Sequence, residues 1–188
     1  VAQTLALSIS KIKNIQEPGR SIDLETIAEI QVYLEQTVKE IRAMIYNLSP
    51  PILDDFDIHI ALGFLIEENN QMHGISIQYT DGVDEPVSLH KSGKITLYRA
   101  ANEIIMNIIK HSGSKHGKIE LSKNETHIFL TAEDKGAGFD ASDLNTTNFS
   151  GFGLLNISER IKNSGGSFEL ISEPGKGTKI SLSLPLLP

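Results

Sequence analysis

The stretch that decides the fold is NEIIMNIIKH, residues 102–111, in which polar and apolar side chains recur at helical spacing. The polar side chains fall within one arc of about 100° on a helix: Glu103, Asn107, Lys110 and His111. The adjoining arc is apolar, which predicts a helix from Ser92 to His111 with one packed face. A carboxylate, an amide oxygen and two side chains that can be cationic are what a magnesium-nucleotide site requires. A solvated helix face is the alternative.

A second motif, AEDKGAGF at residues 132–139, follows a stretch of alternating polarity. Asp134 has the parity of the apolar residues before it in the predicted strand, namely Ile128, Leu130 and Ala132. If that parity faces the core, Asp134 is a carboxylate at the mouth of an apolar pocket, where it needs a hydrogen-bond donor such as an exocyclic amine. Gly136 and Gly138 would let the backbone turn closely around a ligand. An ordinary turn is the alternative.

The third motif is SGFGLLNISER, residues 150–160, which opens a helix predicted from Phe152 to Asn163. Gly151 and Gly153 stand ahead of or within its first turn. Free amides at a helix N-terminus bind phosphate well, so the motif predicts a phosphate contact. A flexible loop followed by a plain helix cap is the alternative.

Composition limits the class of protein. The chain has 188 residues, a net charge of -7 and no cysteine, which favours two domains and excludes disulfides, thiol catalysis and Cys-ligated zinc. The acidic balance argues against nucleic acid as the main partner. No apolar run approaches the ~18 residues of a membrane span, so we expect membrane attachment only through segments upstream of Val1. We expect a cytoplasmic location.

The sequence of the N-terminal part predicts a helical hairpin. Apolar residues recur at steps of about three or four in both predicted helices. In the first helix they are Val1, Leu5, Ile9 and Ile12, and in the second they are Ile27, Ile30, Leu34, Val38, Ile41, Ile45 and Leu48. Ser21 is a candidate cap of the second helix, and EPGRS at residues 17–21 predicts the turn between the two. One hairpin cannot cover both apolar stripes, so we expect a homodimer with a four-helix bundle. Packing of the hairpin on the rest of the same chain is the alternative.

The rest of the chain alternates between helix and strand. Its predicted helices, besides 92–111 and 152–163, cover residues 57–72, and its predicted strands cover 75–79, 117–122, 126–134, 166–172 and 177–185. The fold class is therefore α+β, with a helical hairpin over residues 1–49, a connector over 50–57 and a sheet covered by helices over 58–188.

Taken in order, the three motifs and GKGT at residues 175–178 closely resemble the ATP-binding domain of sensor histidine kinases, an α/β sandwich of the Bergerat type. Gyrase, a heat-shock chaperone and mismatch-repair ATPases share that superfamily. NEIIMNIIKH resembles the N box, DKGAG the first glycine box with Gly136 and Gly138, and GFGL the second, with Gly151, Gly153 and Leu154.

The resemblance implies a role for each matching residue. Asn107 would ligate Mg²⁺, Glu103 would act as base or organiser, and Asp134 with Thr178 would hold the adenine of ATP. Lys110 and His111 would approach the phosphates.

VAQTL at residues 1–5, the hairpin and IRAMIYNLSPPILDD at residues 41–55 resemble the dimerisation and phosphotransfer hairpin of histidine kinases of the nitrate-sensor and desaturase-thermosensor type. In that family a His-Asp pair and one variable residue precede the match to Val1, so we expect the phospho-acceptor to lie upstream. Gln3 would match the glutamine that positions water for the phosphatase reaction.

The resemblance implies a histidine kinase that transfers the γ-phosphoryl group of ATP to a histidine and then to an aspartate of a response-regulator receiver domain. Cofactors would be ATP and Mg²⁺, and this chain would not phosphorylate itself. Three alternatives stay open: an anti-sigma serine kinase, another ATPase of the superfamily, and a dimer module that binds no nucleotide.

Overall fold

The computed structural model describes residues 2–15, 24–48, 50–140 and 152–187. The chain divides into two compact units, Val1–Pro50 and Pro51–Pro188. The predicted cap Ser21 and the predicted turn at residues 17–21 lie outside the described residues.

The N-terminal unit contains helices α1 (Ala2–Ile15) and α2 (Leu24–Leu48). The two helices pack together, and an ion pair joins Lys11 to Glu29. Many of their large apolar side chains remain exposed, including Ile9, Ile27, Leu34 and Val38. Among the described residues of this unit, the two helices therefore cover each other's apolar stripes only partly.

The C-terminal unit holds four helices and five strands among its described residues. The helices are α3 (Ile52–Asp55), α4 (Ile58–His73), α5 (Lys91–Asn107) and α6 (Phe152–Asn163). The strands are β1 (Ser76–Gly82), β2 (His116–Lys123), β3 (His127–Asp134), β4 (Ser167–Glu173) and β5 (Gly177–Pro185).

The strands form one sheet in the order β1-β2-β3-β5-β4, in which β1 and β2 are parallel and the other neighbours antiparallel. Helices α4, α5 and α6 contribute to a single core with the buried face of the sheet, while Phe129 and Ile171 are exposed. The molecule is a mixed α/β structure, as the sequence predicts. Strand β3 is central, so its buried side chains lie deepest in the core.

The predicted parity of β3 is confirmed. Ile128, Leu130, Ala132 and Asp134 are all buried, whereas Phe129 and Glu133 are exposed. Alternate side chains of a strand point to opposite faces, so this parity carries Asp134 into the same layer as the apolar residues.

Helix α4 begins after Asp57 and ends at His73, and Gly74 follows with a φ of 60°, the left-handed conformation in which glycine commonly terminates a helix. Asp57 makes an ion pair with Lys94 of α5 at 2.9 Å, which joins the two helices. Burial alone would raise the pKa of Asp57, but the hydrogen bond and positive charge of Lys94 and two backbone N–H groups lower it overall.

The outer edge of β1 is closed by a side chain. The Ile77 N–H donates to Asn70 Oδ1 at 2.9 Å, and Asn70 Nδ2 donates to the Ile77 carbonyl at 3.0 Å. The asparagine thus pairs both backbone groups of one residue on this edge, as a neighbouring strand would.

Two local features differ from the sequence prediction. The connector predicted at residues 50–57 contains the short helix α3, and its Ile52 and Leu53 pack against the core of the C-terminal unit. The helix predicted through His111 is regular only to Asn107 and then widens into a π-helical turn, Ile108–Ser112. A π turn places more than 3.6 residues in each turn, so the predicted arc no longer holds past Asn107.

Candidate functional site

A cavity of about 190 Å³ lies where the C-terminal end of α5, the end of β3 and strand β5 meet. Ile104, Ile108 and Ile180 give it apolar walls, and Asn107, Asp134 and Thr178 are among its polar groups. The remaining lining residues are His111, Ser112, Ala132, Glu133, Gly138, Phe139 and Leu154. A mostly apolar cleft with a few convergent polar groups is typical of a small-molecule site.

Asp134 is the charged group deepest in this cavity. Its exposed fraction is 7%, and its Oδ1 accepts a hydrogen bond of 2.8 Å from the Gly136 N–H. Burial raises the pKa of Asp134, the nearby charge of Glu133 adds to that effect, and the Gly136 N–H partly offsets it. Since one backbone donor does not exhaust a carboxylate's capacity, Asp134 can accept another hydrogen bond from a ligand.

Thr178 stands beside Asp134. The two residues are direct partners in the antiparallel register of β3 and β5, and both line the cavity. The register therefore places a hydroxyl and a carboxylate at the same level of the floor.

The loop after β3 is held by backbone hydrogen bonds. The Ala137 N–H donates to the Ser112 carbonyl at 2.6 Å, and the Gly175 N–H donates to the Ala137 carbonyl at 2.5 Å. Gly138 has φ of 58°, and a Cβ at this position would overlap the Glu173 carbonyl oxygen. Glycine is thus required here both by backbone conformation and by the close approach of another segment.

Asn107 lies in the wall of the cavity with spare hydrogen-bonding capacity. Its Nδ2 is buried and has no hydrogen-bond partner among the described residues. An amide that the protein leaves partly unpaired in a cavity is available to a ligand, and rotation about its last side-chain bond exchanges nitrogen and oxygen. The side chain thus fits the oxygen-ligand chemistry of Mg²⁺, which is held by few protein groups together with water and phosphate.

Glu103 occupies a different place from Asn107, although both lie on the same helix. A Cβ built on Gly153 would overlap Glu103 Oε1, so the carboxylate rests against the first turn of α6. Negative charge at a helix N-terminus is stabilised by the helix dipole. Gly153 therefore makes room for the Glu103 carboxylate at this point.

The structure brings many of the predicted site residues together. The cavity is lined by Asn107, His111, Asp134, Gly138, Leu154 and Thr178. Gly136 lies behind the floor as the donor to Asp134, and Glu103 and Gly153 contact each other outside the cavity lining. Lys110 is exposed and does not line the cavity, because the π turn changes the direction of the side chains after Asn107. Gly151 lies outside the described residues, and for Gln3 only the backbone is described, within α1.

Sequence reasoning missed Ser112, Phe139 and Ser172. Ser112 and Phe139 line the cavity, and Ser172 is hydrogen-bonded to Thr178 at 3.0 Å. A signal for Ser172 exists in the sequence: it has the parity of Phe168 and Leu170 in β4, which marks it as a polar residue on the buried face.

Within the described parts of the chain, no three side chains of His, Asp or Glu come together as a metal site. Among the same residues, none of the helices is both long and apolar enough to cross a bilayer.

The chain is similar over most of its length to curated histidine kinases. It is 30% identical to an uncharacterized sensor-like histidine kinase of Chloroflexus aurantiacus over 98% of this chain and 32% of that protein. It is 26% identical to the signal transduction histidine-protein kinase/phosphatase DegS of Brevibacillus brevis over 87% of this chain and 41% of that protein. The chain thus spans about a third to two fifths of the length of these relatives.

A solved structure shares the fold. The histidine kinase domain of the blue-light activated histidine kinase EL346 of Erythrobacter litoralis matches 98% of this chain and 94% of its own, with a TM-score of 0.60 and 13% identity. The family of histidine kinase-, DNA gyrase B- and HSP90-like ATPases matches residues 93–188, just over half of the chain. The chain therefore belongs to this ATPase family, and its C-terminal unit is an ATPase core of the histidine kinase type.

Proposed function

We propose that this chain is the ATP-binding catalytic core of a two-component sensor histidine kinase. The observation that carries the proposal is the buried Asp134 carboxylate at the floor of an apolar cavity, next to Thr178 and facing a wall that contains Asn107. A flat purine fits apolar walls, and its exocyclic amine supplies the donor that a buried carboxylate requires. The names of the curated relatives support the choice of histidine kinase within the family.

The proposed roles follow from the position of each group. Asp134 and Thr178 bind the base, and His111 lies at the cavity wall where it can contact a phosphate. Asn107 would hold Mg²⁺, which when bound supplies positive charge to the phosphates. Glu103 is proposed to orient and deprotonate the accepting histidine once it leaves its resting contact with Gly153. Most of the rate acceleration in phosphoryl transfer comes from such positioning.

The N-terminal unit is proposed to be the dimerisation hairpin, with a receiver domain of a response regulator as the partner that takes the phosphoryl group. A groove on α2 supports a second copy as the covering surface. It is lined by Ile27, Ile30, Gln31, Leu34, Glu35 and Val38. The kinase/phosphatase name of the relative DegS supports an additional phosphatase activity, for which Gln3 would position the water.

We expect Asp134→Asn to weaken ATP binding while sparing or improving stability. The asparagine oxygen still accepts from the Gly136 N–H, but the amide cannot replace the charged acceptor, so the loss should be about 1–3 kcal/mol by calorimetry. The pKa of Asp134 is higher in the folded protein than its ordinary value of 3.8. The free energy of unfolding of the wild type therefore falls as the pH rises from 3.8 through that higher pKa. The variant lacks this titration, so its free energy of unfolding at pH 7 should equal or exceed that of the wild type.

Asp84→Asn is the matched control, since Asp84 is exposed and does not line the cavity. Equal ATP affinity for the wild type and Asp134→Asn, or no ATP binding by either, would remove Asp134 from the proposed site.

We expect Asn107→Ala to reduce the Mg²⁺-dependent part of nucleotide affinity, because a hard cation loses an oxygen ligand. The measurement is ATP affinity with Mg²⁺ and with EDTA. Asn102→Ala is the control on the same helix, five residues away and therefore about 140° around it. If both affinities of Asn107→Ala fall by the same factor, the side chain is not a magnesium ligand.

We expect the chain to be a dimer that Leu34→Glu dissociates. Leu34 lines the α2 groove, and an unpaired charge buried in a dimer interface costs several kcal/mol. Val32→Glu is the control, because Val32 is more exposed and lies outside the groove. Light scattering would report the mass of each variant, and a monomeric wild type would contradict the proposal.

We expect the chain to bind ATP without forming phosphohistidine. Its six histidines all follow residue 57, so none lies in α1 or α2, where a bundle acceptor must stand. Incubation with γ-labelled ATP should give no acid-labile label on the protein. Labelling that maps to His59, His73, His90, His111, His116 or His127 would show that the acceptor lies within this chain.

A further inference from the structure

The Ser172 hydroxyl is the centre of a small buried network behind the cavity floor. Ser172 is 7% exposed and is not itself a lining residue. Its Oγ accepts from the Phe139 N–H at 3.0 Å, lies 3.1 Å from the Gly177 carbonyl and lies 3.0 Å from Thr178 Oγ1. The network thus joins the loop after β3, residues 135–139, which we call the glycine loop, to the hairpin between β4 and β5.

Proton counting fixes the direction of each hydrogen bond. The Phe139 N–H can only donate and the Gly177 carbonyl can only accept, whereas a serine hydroxyl has a single proton. If Ser172 gives its proton to Gly177, the contact with Thr178 is a hydrogen bond only when Thr178 donates. This is the one arrangement in which all three contacts are hydrogen bonds.

The consequence for the cavity is that the Thr178 hydroxyl proton points toward Ser172. Thr178 can then act toward a ligand only as a hydrogen-bond acceptor, next to the Asp134 carboxylate, which also accepts. The floor of the cavity therefore presents two acceptors side by side. Adenine has an exocyclic amine that donates, whereas guanine has a carbonyl oxygen at the same position.

We propose that Ser172 is a specificity-determining residue, which selects a purine with an amine rather than a carbonyl at position 6 by fixing the Thr178 hydroxyl as an acceptor. The inference rests on the proposed nucleotide binding and adds to it a reason for choosing between ATP and GTP. A site built to accept from a ligand N–H rejects an analogue without that donor strongly, because its buried acceptors are left unpaired.

The same hairpin contains a matched control. Ser183 of β5 is 6% exposed and its Oγ lies 2.8 Å from Ser167 Oγ across the strand pair, but neither serine lines the cavity. Ser172 and Ser183 are therefore alike in residue type, burial and cross-strand bonding, and differ in whether the partner hydroxyl lines the cavity.

The experiment measures the Kd of Mg-ATP and of Mg-GTP by calorimetry for the wild type, Ser172→Ala and Ser183→Ala. In Ser172→Ala the Thr178 proton is free to turn toward the ligand. ATP should therefore bind more weakly, and the affinity for GTP should rise relative to the affinity for ATP. We expect the ratio of the two Kd values to change by about tenfold, the size of one misdirected hydrogen bond. Ser183→Ala should leave the ratio unchanged.

Two further variants test whether Ser172 acts by orienting the Thr178 hydroxyl or only by supporting the glycine loop. Ser172→Thr keeps a hydroxyl, so its ratio of the two Kd values should equal that of the wild type. Thr178→Val removes the hydroxyl that Ser172 orients, so adding Ser172→Ala to it should not change the ratio further. Circular dichroism checks that each variant folds. If Ser172→Ala does not fold, Ser172→Cys replaces it, because a thiol has a volume similar to that of the hydroxyl but forms only weak hydrogen bonds.

A wild type that binds neither nucleotide would refute the proposed function and this inference together. ATP binding by the wild type, with both nucleotides weakened equally in Ser172→Ala, would refute the inference alone.

Discussion

The site depends on one unfavourable interaction, the burial of the Asp134 carboxylate at the end of the central strand. Strand alternation places this group in the same layer as Leu130 and Ala132, and within the described part of the chain one hydrogen bond, from the Gly136 N–H, is recorded for it. A buried carboxylate without enough donors lowers stability and has a raised pKa. Such strain is typical of functional sites, where a ligand supplies the missing donor. We propose that the fold keeps this group, which is unfavourable in the free protein, because ligand binding uses it.

Contacts from neighbouring segments fix the position of the groups around that carboxylate. The register of β3 with β5 sets Thr178 beside it, and Ser172 holds Thr178 from behind. The π turn after α5 directs the Ser112 carbonyl toward the glycine loop, which it holds through the Ala137 N–H. These contacts come from four separate segments of the chain, so the cavity forms only when the C-terminal unit is folded.

Features that depend on local periodicity could be predicted from the sequence. The burial of Asp134 followed from a repeat of two, and the observed bounds of α6 are those predicted from the sequence, Phe152 to Asn163. Features set by tertiary contact could not be predicted in this way. The π turn, the helix α3 within the predicted connector and the resting place of Glu103 against Gly153 each depend on a segment distant in sequence. Ser172 lies between these cases, since its parity marks it as buried but only the structure shows that it contacts Thr178.

We propose above all that a purine nucleotide binds in the Asp134 cavity. The most direct test is a two-dimensional amide NMR titration with ADP in the absence of Mg²⁺, so that base contacts dominate. We expect the largest chemical-shift changes on residues 134–139 and 177–180, with little change along the β1 edge at residues 76–82. Saturable changes centred elsewhere, or none at all, would contradict it.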